Sequence, residues 1–270
     1  MSRTLPTVAR RVRQTIQSFD NGGSVLAGIA MGSLISRPAD LTIRTHGLTL
    51  VTPNLPGARI PVYELFVEDS YLLDWFTTGL AEPTVVDIGA HIGCFSLAVA
   101  DALPGSQVFA YEALLSTFGY LQRNVIQNGF ADRIHIHNEA VAGTRGTVAF
   151  GDTGPGSGHN GVLHLGRPGT KSIEVPSVTM EDVFARAGGT VELVKIDAEG
   201  AEYDMILGSS PASWDSVRRV VMEYHGVEGH AWEELREFFE AANLHVAKHV
   251  SVVEGYGMAW LSRDALDLSP

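Results

Sequence analysis

The hydrophobic pattern of this chain becomes regular near residue 84. From there on, short apolar runs alternate with longer segments in which apolar residues recur every three or four positions. Short apolar runs bounded by turn residues are typical of buried strands, and the longer spacing is typical of amphipathic helices. Strands are predicted over residues 85–87, 108–112, 134–138, 191–197 and 217–224, and helices over 94–102, 116–128, 180–187, 201–207 and 231–242. This alternation predicts an α/β protein with a parallel sheet and right-handed crossover connections.

Two parts of this region depart from the alternation. A β-rich insertion is predicted over residues 145–176, between the third strand and the next helix. Near the C-terminus, residues 245–253 and 258–262 flank the turn sequence EGYG, which predicts an antiparallel hairpin. A mostly parallel, seven-stranded sheet that ends in a hairpin differs from an ordinary dehydrogenase and is typical of methyl-transferring enzymes.

The first 80 residues are predicted to form an N-terminal cap. An amphipathic helix is indicated by apolar residues at three- and four-residue steps, namely Leu5, Val8, Val12, Ile16 and Phe19. Residues 41–44 and 48–52 predict a β-hairpin, and a helix is predicted over residues 71–80. The cap carries no recognisable chemistry, so we assign residues 1–80 to the cap and residues 81–270 to the domain that carries the function.

The most informative segment is residues 85–96, which reads VVDIGAHIGCFS. An apolar strand ends at Asp87, Gly89 and Gly93 allow a tight turn, and an apolar helix begins near Cys94. Such a turn lets a ligand lie against bare backbone at the N-terminus of a helix, as in nucleotide-binding α/β proteins.

A second acid, Glu112, ends the next strand about 20 residues after this turn. At that spacing a carboxylate can accept hydrogen bonds from ribose hydroxyls. An acid at a strand end can also cap the following helix. Asp87 and Glu112 together favour a ligand that contains a ribose.

Composition and charge narrow the classes of partner. The formal net charge is −12 at pH 7, which disfavours nucleic acid because its phosphates require a basic surface. The single cysteine excludes an internal disulfide and suits a reducing cytoplasm. The apolar run 25–35 is shorter than the roughly 20 residues of a membrane span, although arginines precede it as they do in targeting peptides. We therefore expect a cytoplasmic protein without a membrane span, and the apolar run suggests a homodimer.

Four segments of the chain resemble the FkbM family of S-adenosylmethionine-dependent methyltransferases: VVDIGAHIGCFSLAVA from Val85, YEA from Tyr111, NEAVAG from Asn138 and VKIDAEGAEYDMI from Val194. A fifth, VVMEYHG from Val220, fits the next strand of that family. The resemblance extends over residues 60–262 and implies a Rossmann-like class I methyltransferase fold with S-adenosylmethionine as cofactor. His91 departs from the family pattern, which has asparagine or glycine at that place.

The resemblance also implies how the cofactor would be held. The glycine turn would pass beneath the methionine chain, with Asp87 near its amino group. Glu112 would bind the ribose hydroxyls, and Asp197 would face the sulfonium. The full set of implied cofactor-binding residues, of which the three from 138 to 140 border the adenine, is Asp87, Gly89, Ala90, His91, Gly93, Glu112, Ala113, Asn138, Glu139, Ala140 and Asp197.

Methyl transfer to an alcohol also requires removal of the hydroxyl proton, by a base or with the help of a metal ion. His225 ends a predicted strand and is the first candidate for that base, although it could instead bond a neighbouring loop carbonyl. The predicted catalytic residues are His225, Asp197 and His159. The last belongs to the glycine-rich segment 151–161, which is either a lid over the acceptor or a plain loop.

Several acidic residues lie near the ends of two adjacent predicted strands, and a metal site is one of two interpretations of them. Asp197, Glu199 and Glu223 could bind Mg²⁺ through their oxygen atoms. Glu199 and Glu202 could equally cap the following helix, because acids stabilise its first turn. Lys195 lies on an apolar strand and needs a partner, which we expect to be Glu223 on the next strand.

The favoured function is O-methylation of a hydroxyl on a small molecule or sugar, in bacterial natural-product biosynthesis. The alternatives are an N- or C-methyltransferase, a nicotinamide-dependent oxidoreductase, and a binding protein that retains the pocket without catalysis. The oxidoreductase is disfavoured because the sequence contains no Tyr-x-x-x-Lys pair.

Overall fold

The computed structural model describes residues 5–35, 38–155, 157, 161 and 170–266. Its strands are β1 (Leu41–Thr45), β2 (Leu48–Thr52), β3 (Thr84–Ile88), β4 (Gln107–Tyr111), β5 (Ile134–His137), β6 (Ala140–Val141), β7 (Gly146–Asp152), β8 (Lys171–Val178), β9 (Leu193–Ile196), β10 (Arg219–Tyr224), β11 (His245–Val253) and β12 (Tyr256–Ser262). Its α-helices are α1 (Leu5–Ser18), α2 (Gly22–Gly32), α3 (Ile60–Phe66), α4 (Leu73–Phe76), α5 (Cys94–Ala102), α6 (Leu115–Gln127), α7 (Met180–Ala187), α8 (Glu202–Leu207) and α9 (Trp232–Ala241).

A seven-stranded sheet forms the centre of the described structure, with the order β11-β12-β10-β9-β3-β4-β5. The neighbouring strands from β10 to β5 are parallel, and β12 is antiparallel to both β10 and β11. Every residue of β9 is buried, as expected for a parallel strand that is covered on both faces. The predicted Rossmann-like methyltransferase fold, with its C-terminal hairpin, is confirmed.

Two hydrophobic clusters lie on opposite faces of this sheet. Val85 and Val86 are consecutive residues of β3, yet they belong to different clusters, because side chains alternate between the faces of a strand. The first cluster also contains Ile43 and Leu50 of the N-terminal hairpin and Val62 of α3. The N-terminal residues therefore share a core with the face of the sheet that α5 and α6 cover.

Asn124 of α6 ties the N-terminal hairpin to the glycine turn. Its side chain is fully buried, accepts a hydrogen bond from the Val51 amide at 2.8 Å, and donates to the Val51 carbonyl at 3.0 Å. It also donates to the carbonyl of Ile92, inside the turn, at 2.8 Å.

The N-terminal helices differ from the prediction. The helix expected over residues 71–80 is limited to α4, because Leu72 adopts a left-handed conformation before it. The helix α3 was not expected, since it begins in a proline-rich stretch. Pro61 lies in the first turn of α3, where a missing amide hydrogen costs nothing.

The insertion forms a separate sheet with the order β6-β8-β7 in the described part of the chain. Strand β8 pairs antiparallel with β7 and parallel with β6. His159 lies outside the described residues. Within the described ranges, no helix has both the length and the apolar character that are needed to cross a bilayer.

Candidate active site

A cavity of about 660 Å³ opens at the carboxyl edge of the central sheet, where ligands bind in open α/β folds. Residues that end or follow four adjacent strands line it: Gly89 after β3, Glu112 and Ala113 after β4, Asp197 after β9, and Glu223 and His225 at the end of β10. His91, Glu139 and Ala140 also line it. The fold therefore brings most of the sequence-predicted site residues to one place.

The turn after β3 requires glycine at residue 89. Gly89 has a φ of +72°, and a Cβ atom there would lie 1.7 Å from the carbonyl oxygen of Asp197. The amides of Gly89 and Ala90 both donate to the Tyr111 carbonyl, at 3.0 and 2.9 Å. The turn is thus held against the ends of β4 and β9, with bare backbone at the cavity wall.

Glu112 lies beside this turn and is only 8% exposed. Its carboxylate accepts hydrogen bonds from the amides of His91 and Leu114, at 3.0 and 2.9 Å. Burial raises the pKa of Glu112 to about 7, although these two hydrogen bonds act in the opposite direction. Each carboxylate oxygen can accept a further hydrogen bond, so Glu112 retains the capacity to bind ribose hydroxyls, and that role stays a prediction.

Asp87 and Lys195 form a buried ion pair behind the turn. The Asp87 carboxylate accepts a hydrogen bond from Ser96 at 2.6 Å and lies 3.3 Å from the Lys195 ammonium. Lys195 also lies 3.8 Å from Asp197 and donates to the Gly89 carbonyl at 2.8 Å. The expected pairing of Lys195 with Glu223 is wrong, because the register of β3 and β9 places Asp87 directly opposite Lys195.

Some predicted cofactor-binding residues support the cavity from behind and do not line it, namely Asp87, Ala90, Gly93 and Asn138. Asn138 donates to the carbonyls of Glu112 and Ala113, at 2.9 and 3.0 Å. Gly93 has a φ of +93° and precedes the first residue of α5. These residues shape the wall through the backbone, and their contacts with a cofactor stay predictions.

We call the part of the cavity that Glu64, Asp197, Glu199, Glu223 and His225 line its acidic end. Burial raises the pKa of Glu199 to about 8, with a further contribution from Asp197. The pKa of Asp197 is raised by burial and by the negative charge of Glu223. Burial therefore favours the protonated forms of Asp197 and Glu199.

His225 is surrounded by carboxylates at the acidic end. Its Nδ1 atom is 3.0 Å from Glu202, and its Nε2 atom is 3.5 Å from Glu223 and 3.7 Å from Glu199. Burial lowers the pKa of His225, but the hydrogen bonds to Glu202 and Glu223 outweigh it and raise the pKa to about 11. An imidazolium cannot accept a proton, so this geometry disfavours the predicted role of His225 as the general base. The other prediction for His225 is a hydrogen bond to a loop carbonyl. In the structure, its Nδ1 atom instead lies beside the carboxylate of Glu202.

Glu202 closes the turn between β9 and α8. Its carboxylate is fully buried and accepts hydrogen bonds from the amides of Ala198 and Gly200, at 2.9 and 3.0 Å. Both amides precede α8, and no side chain caps the first amides of that helix, so these contacts close the turn and the predicted helix-capping role stays a prediction. Glu199 instead has a φ of +48° and faces the cavity.

One face of α3 belongs to the acidic end. Ile60, Pro61 and Glu64 line the cavity, while Val62 and Leu65 are buried in the core. Sequence reasoning missed Glu64, because a lone acid on a short helix in a proline-rich stretch resembles a surface residue. The spacing of three and four residues between the lining positions, which places them on one helix face, is the signal that could have identified them.

Two tyrosines hold the carboxylates of the acidic end. The Tyr71 hydroxyl, from the N-terminal region, donates to Asp197 at 3.5 Å. The Tyr256 hydroxyl, from β12, donates to Glu223 at 2.6 Å. The insertion contributes Val148, Phe150 and Ser157 to the lining, and the predicted role of His159 as a catalytic residue stays a prediction.

The lining suits the cofactor that the resemblance implies. Bare backbone at Gly89 and the hydrogen-bond acceptor Glu112 stand beside the apolar residues Ile88 and Val141, which can pack against a heterocycle. The acidic end offers negative charge to a positively charged sulfur. The residues present therefore fit S-adenosylmethionine.

Comparisons with known proteins identify the family of this chain. Residues 87–246 match the methyltransferase FkbM domain. The chain is 27% identical over 211 residues to 31-O-demethyl-FK506 methyltransferase FkbM of Streptomyces tacrolimicus, covering 68% of this chain and 81% of that protein. It is 25% identical over 191 residues to methyltransferase 1 of Beauveria bassiana, covering 62% and 75%. A solved structure, the SAM-dependent methyltransferase from Agrobacterium tumefaciens, aligns with a TM-score of 0.48 at 11% identity over 83% of this chain and 70% of that chain. Since the domain match spans more than half of the sequence, this chain belongs to the FkbM family of S-adenosylmethionine-dependent methyltransferases.

Proposed function

We propose that this methyltransferase transfers a methyl group to a hydroxyl of a small molecule or sugar, in the biosynthesis of a bacterial natural product. The observation that carries the proposal is that the glycine turn and the acidic end open onto the same cavity. The name of the Streptomyces relative, 31-O-demethyl-FK506 methyltransferase, supports an oxygen acceptor on a natural product. Family membership removes the alternative of a nicotinamide-dependent oxidoreductase.

The chain's own residues would orient the two reactants. When bound, S-adenosylmethionine supplies an electrophilic methyl group on a positively charged sulfur. The backbone of Gly89 and the carboxylate of Glu112 would hold the cofactor, and Asp197 would favour the positive charge. Such positioning provides much of the acceleration in a displacement reaction.

Glu64 is the group that we assign to the acceptor proton. It faces the cavity from α3, and its pKa is raised to about 7 by burial and then by the nearby charges of Glu223 and Asp197. A base is most effective when its pKa lies near the working pH. Glu64 therefore suits the role that the protonated His225 does not.

Magnesium at Asp197, Glu199 and Glu223 is the second route to an activated hydroxyl, and the density of carboxylates at the acidic end supports a cation there. Magnesium prefers a shell of oxygen atoms, whereas the imidazole of His225 lies within the same group of donors.

The exposed apolar residues of the N-terminal helices support a homodimer. Ile16 of α1 is 53% exposed, and Met31 of α2 is 67% exposed. Leu34 and Ile35, which follow α2, are 82 and 55% exposed. Burial of such residues against a second copy would be favourable. Light scattering should give twice the mass of one chain, and a single-chain mass contradicts the dimer.

We place the protein in the cytoplasm, where S-adenosylmethionine is available.

The proposed function is tested in two steps. Calorimetric titration should show binding of S-adenosylmethionine and no binding of NAD. Incubation with candidate hydroxylated metabolites should then give a product that is heavier by one CH₂ group, and NMR should locate the new methyl group on oxygen. A methyl group on nitrogen or carbon would contradict the choice of acceptor atom.

A further inference from the structure

Two carboxylates and one imidazole converge at the acidic end. One donor atom from each of Asp197, Glu223 and His225 lies within 4.8 Å of the other two. Asp197 follows β9 and Glu223 belongs to β10, and the parallel register of these strands pairs Ile196 with Met222. The two carboxylates are therefore neighbours because of the sheet itself, and His225 follows two residues later.

Glu202 fixes the orientation of the histidine. Its two oxygen atoms accept hydrogen bonds from the amides of Ala198 and Gly200. A carboxylate offers acceptors only, so the Nδ1 atom of His225, 3.0 Å away, is the donor to it. The Nε2 atom is then the ring nitrogen that faces Glu223, at 3.5 Å. A histidine that binds a metal ion commonly has a carboxylate on its other nitrogen in this way.

Among the described residues around the acidic end, four carboxyl side chains line the cavity and two basic side chains, His225 and Lys195, lie beside them. The carboxylates of Asp197, Glu199 and Glu223 all line it, and the nearby lysine, Lys195, lies closer to Asp87 than to Asp197. A divalent cation between these carboxylates would offset charge that is costly to bury. The cavity beside the three donors leaves space for a further ligand, such as an acceptor oxygen.

We propose that Asp197, Glu223 and His225 bind a divalent transition-metal ion, which displaces the proton from Nε2 of the histidine, with Glu202 as the positioning residue. One nitrogen and two carboxylate ligands suit Mn²⁺ and its first-row neighbours better than Mg²⁺, which prefers oxygen alone. Tyr256 and Tyr71 donate to the two carboxylate ligands and would restrict their orientation. Only the role of the ion rests on the proposed function. In that role the ion would hold the acceptor hydroxyl and make it more acidic.

The direct test uses the full chain, stripped of metal with a chelator and titrated with MnCl₂ while the free ion is followed by electron paramagnetic resonance. We expect one Mn²⁺ per chain. His225→Ala and Glu202→Gln should each weaken binding by roughly 10- to 100-fold. His230→Ala is the matched control, because His230 pairs with Glu234 at 3.1 Å on the surface, and this variant should bind Mn²⁺ as the wild type does. Excess Mg²⁺ should displace the ion poorly.

Absence of Mn²⁺ binding by the wild type, unchanged binding by His225→Ala, or preferential binding of Mg²⁺ would overturn the proposal. Thermal melting of each variant checks folding. If His225→Ala does not fold, Glu223→Gln, which preserves the side-chain shape, gives the same test. The affinity for S-adenosylmethionine is measured in the metal-free preparations of the same proteins, before Mn²⁺ is added. Loss of cofactor binding with intact Mn²⁺ binding contradicts the proposed function, whereas the reverse result contradicts only the metal site.

Discussion

Glu64 faces the cavity from α3, and burial raises its pKa to about 7. If it accepts the acceptor proton, Glu64→Gln should lower kcat by about 10²- to 10⁴-fold. The affinity for S-adenosylmethionine should stay the same, because the amide has nearly the shape of the carboxylate. Steady-state kinetics with an identified acceptor, together with calorimetry, measure the two quantities.

Glu237→Gln is the control for this substitution. Glu237 lies on α9, is exposed, and does not line the cavity, so its variant should keep the wild-type kcat. Full activity of Glu64→Gln would remove Glu64 from the mechanism. Loss of cofactor affinity would indicate a binding role instead.

Glu112 should make the stability of the protein depend on pH. An acid whose pKa is higher in the folded chain than in the unfolded chain binds its proton more tightly when folded, so stability falls as the pH rises. For Glu112 the window runs from the ordinary value of 4.5 to about 7. Each unit of such a shift corresponds to about 1.4 kcal/mol.

Glu112→Gln cannot ionise, so its stability relative to the wild type should increase as the pH rises through this window. Urea unfolding of both proteins at several pH values gives the difference in the free energy of unfolding. The substitution Glu237→Gln, at an exposed position, controls for the change of residue type. A difference between Glu112→Gln and wild type that is constant with pH would show that Glu112 is not the titrating group.

At the scale of elements, the turn between β3 and α5 depends on backbone that lacks a side chain. A Cβ atom at Gly89 would lie 1.7 Å from the Asp197 carbonyl, so Gly89→Ala must displace the end of β9 or the turn itself. We expect a loss in the free energy of unfolding that exceeds the about 1–3 kcal/mol of an unfavourable backbone conformation alone, because the steric displacement adds to it, together with loss of cofactor binding. Urea unfolding and calorimetry measure both effects.

Gly79→Ala is the control that separates the effect of close packing on stability from the effect of backbone conformation. Gly79 has a φ of +79°, close to that of Gly89, but a Cβ atom there would have nothing within 4 Å. This variant should lose only about 1–2 kcal/mol, the cost of the left-handed conformation, and should bind the cofactor normally. Equal effects at the two positions would mean that the contact with Asp197 is unimportant.

At the scale of the whole molecule, the N-terminal residues and the sheet share one hydrophobic cluster. We therefore expect a single unfolding transition. Asn124→Ala removes the buried amide that joins β2 to the glycine turn and leaves polar groups unpaired, which costs about 1–3 kcal/mol. The whole transition should shift to lower urea concentration. Two separate transitions, by circular dichroism and tryptophan fluorescence, would show that the cap unfolds independently.

Much of the fold could be predicted from the sequence because its determinants are local. Apolar runs bounded by turn residues located the strands, and the glycine positions in the turn after β3 marked its tight geometry. The EGYG turn between β11 and β12 predicted the terminal hairpin. The helix α3 was missed, because the local preference of a proline-rich stretch is overridden by burial of Val62 and Leu65.

The sequence by itself determined the order of strands and helices from residue 84 onward, the glycine turn and the family, since each depends on neighbours along the chain. Only the tertiary structure decided the partners of the charged residues. Lys195 pairs with Asp87 because of strand register, and His225 meets Glu202 because the turn before α8 folds back. Glu64 reaches the acidic end because α3 packs on the core. Proximity between residues that are far apart in the chain follows from packing of the whole sheet, which no local pattern records.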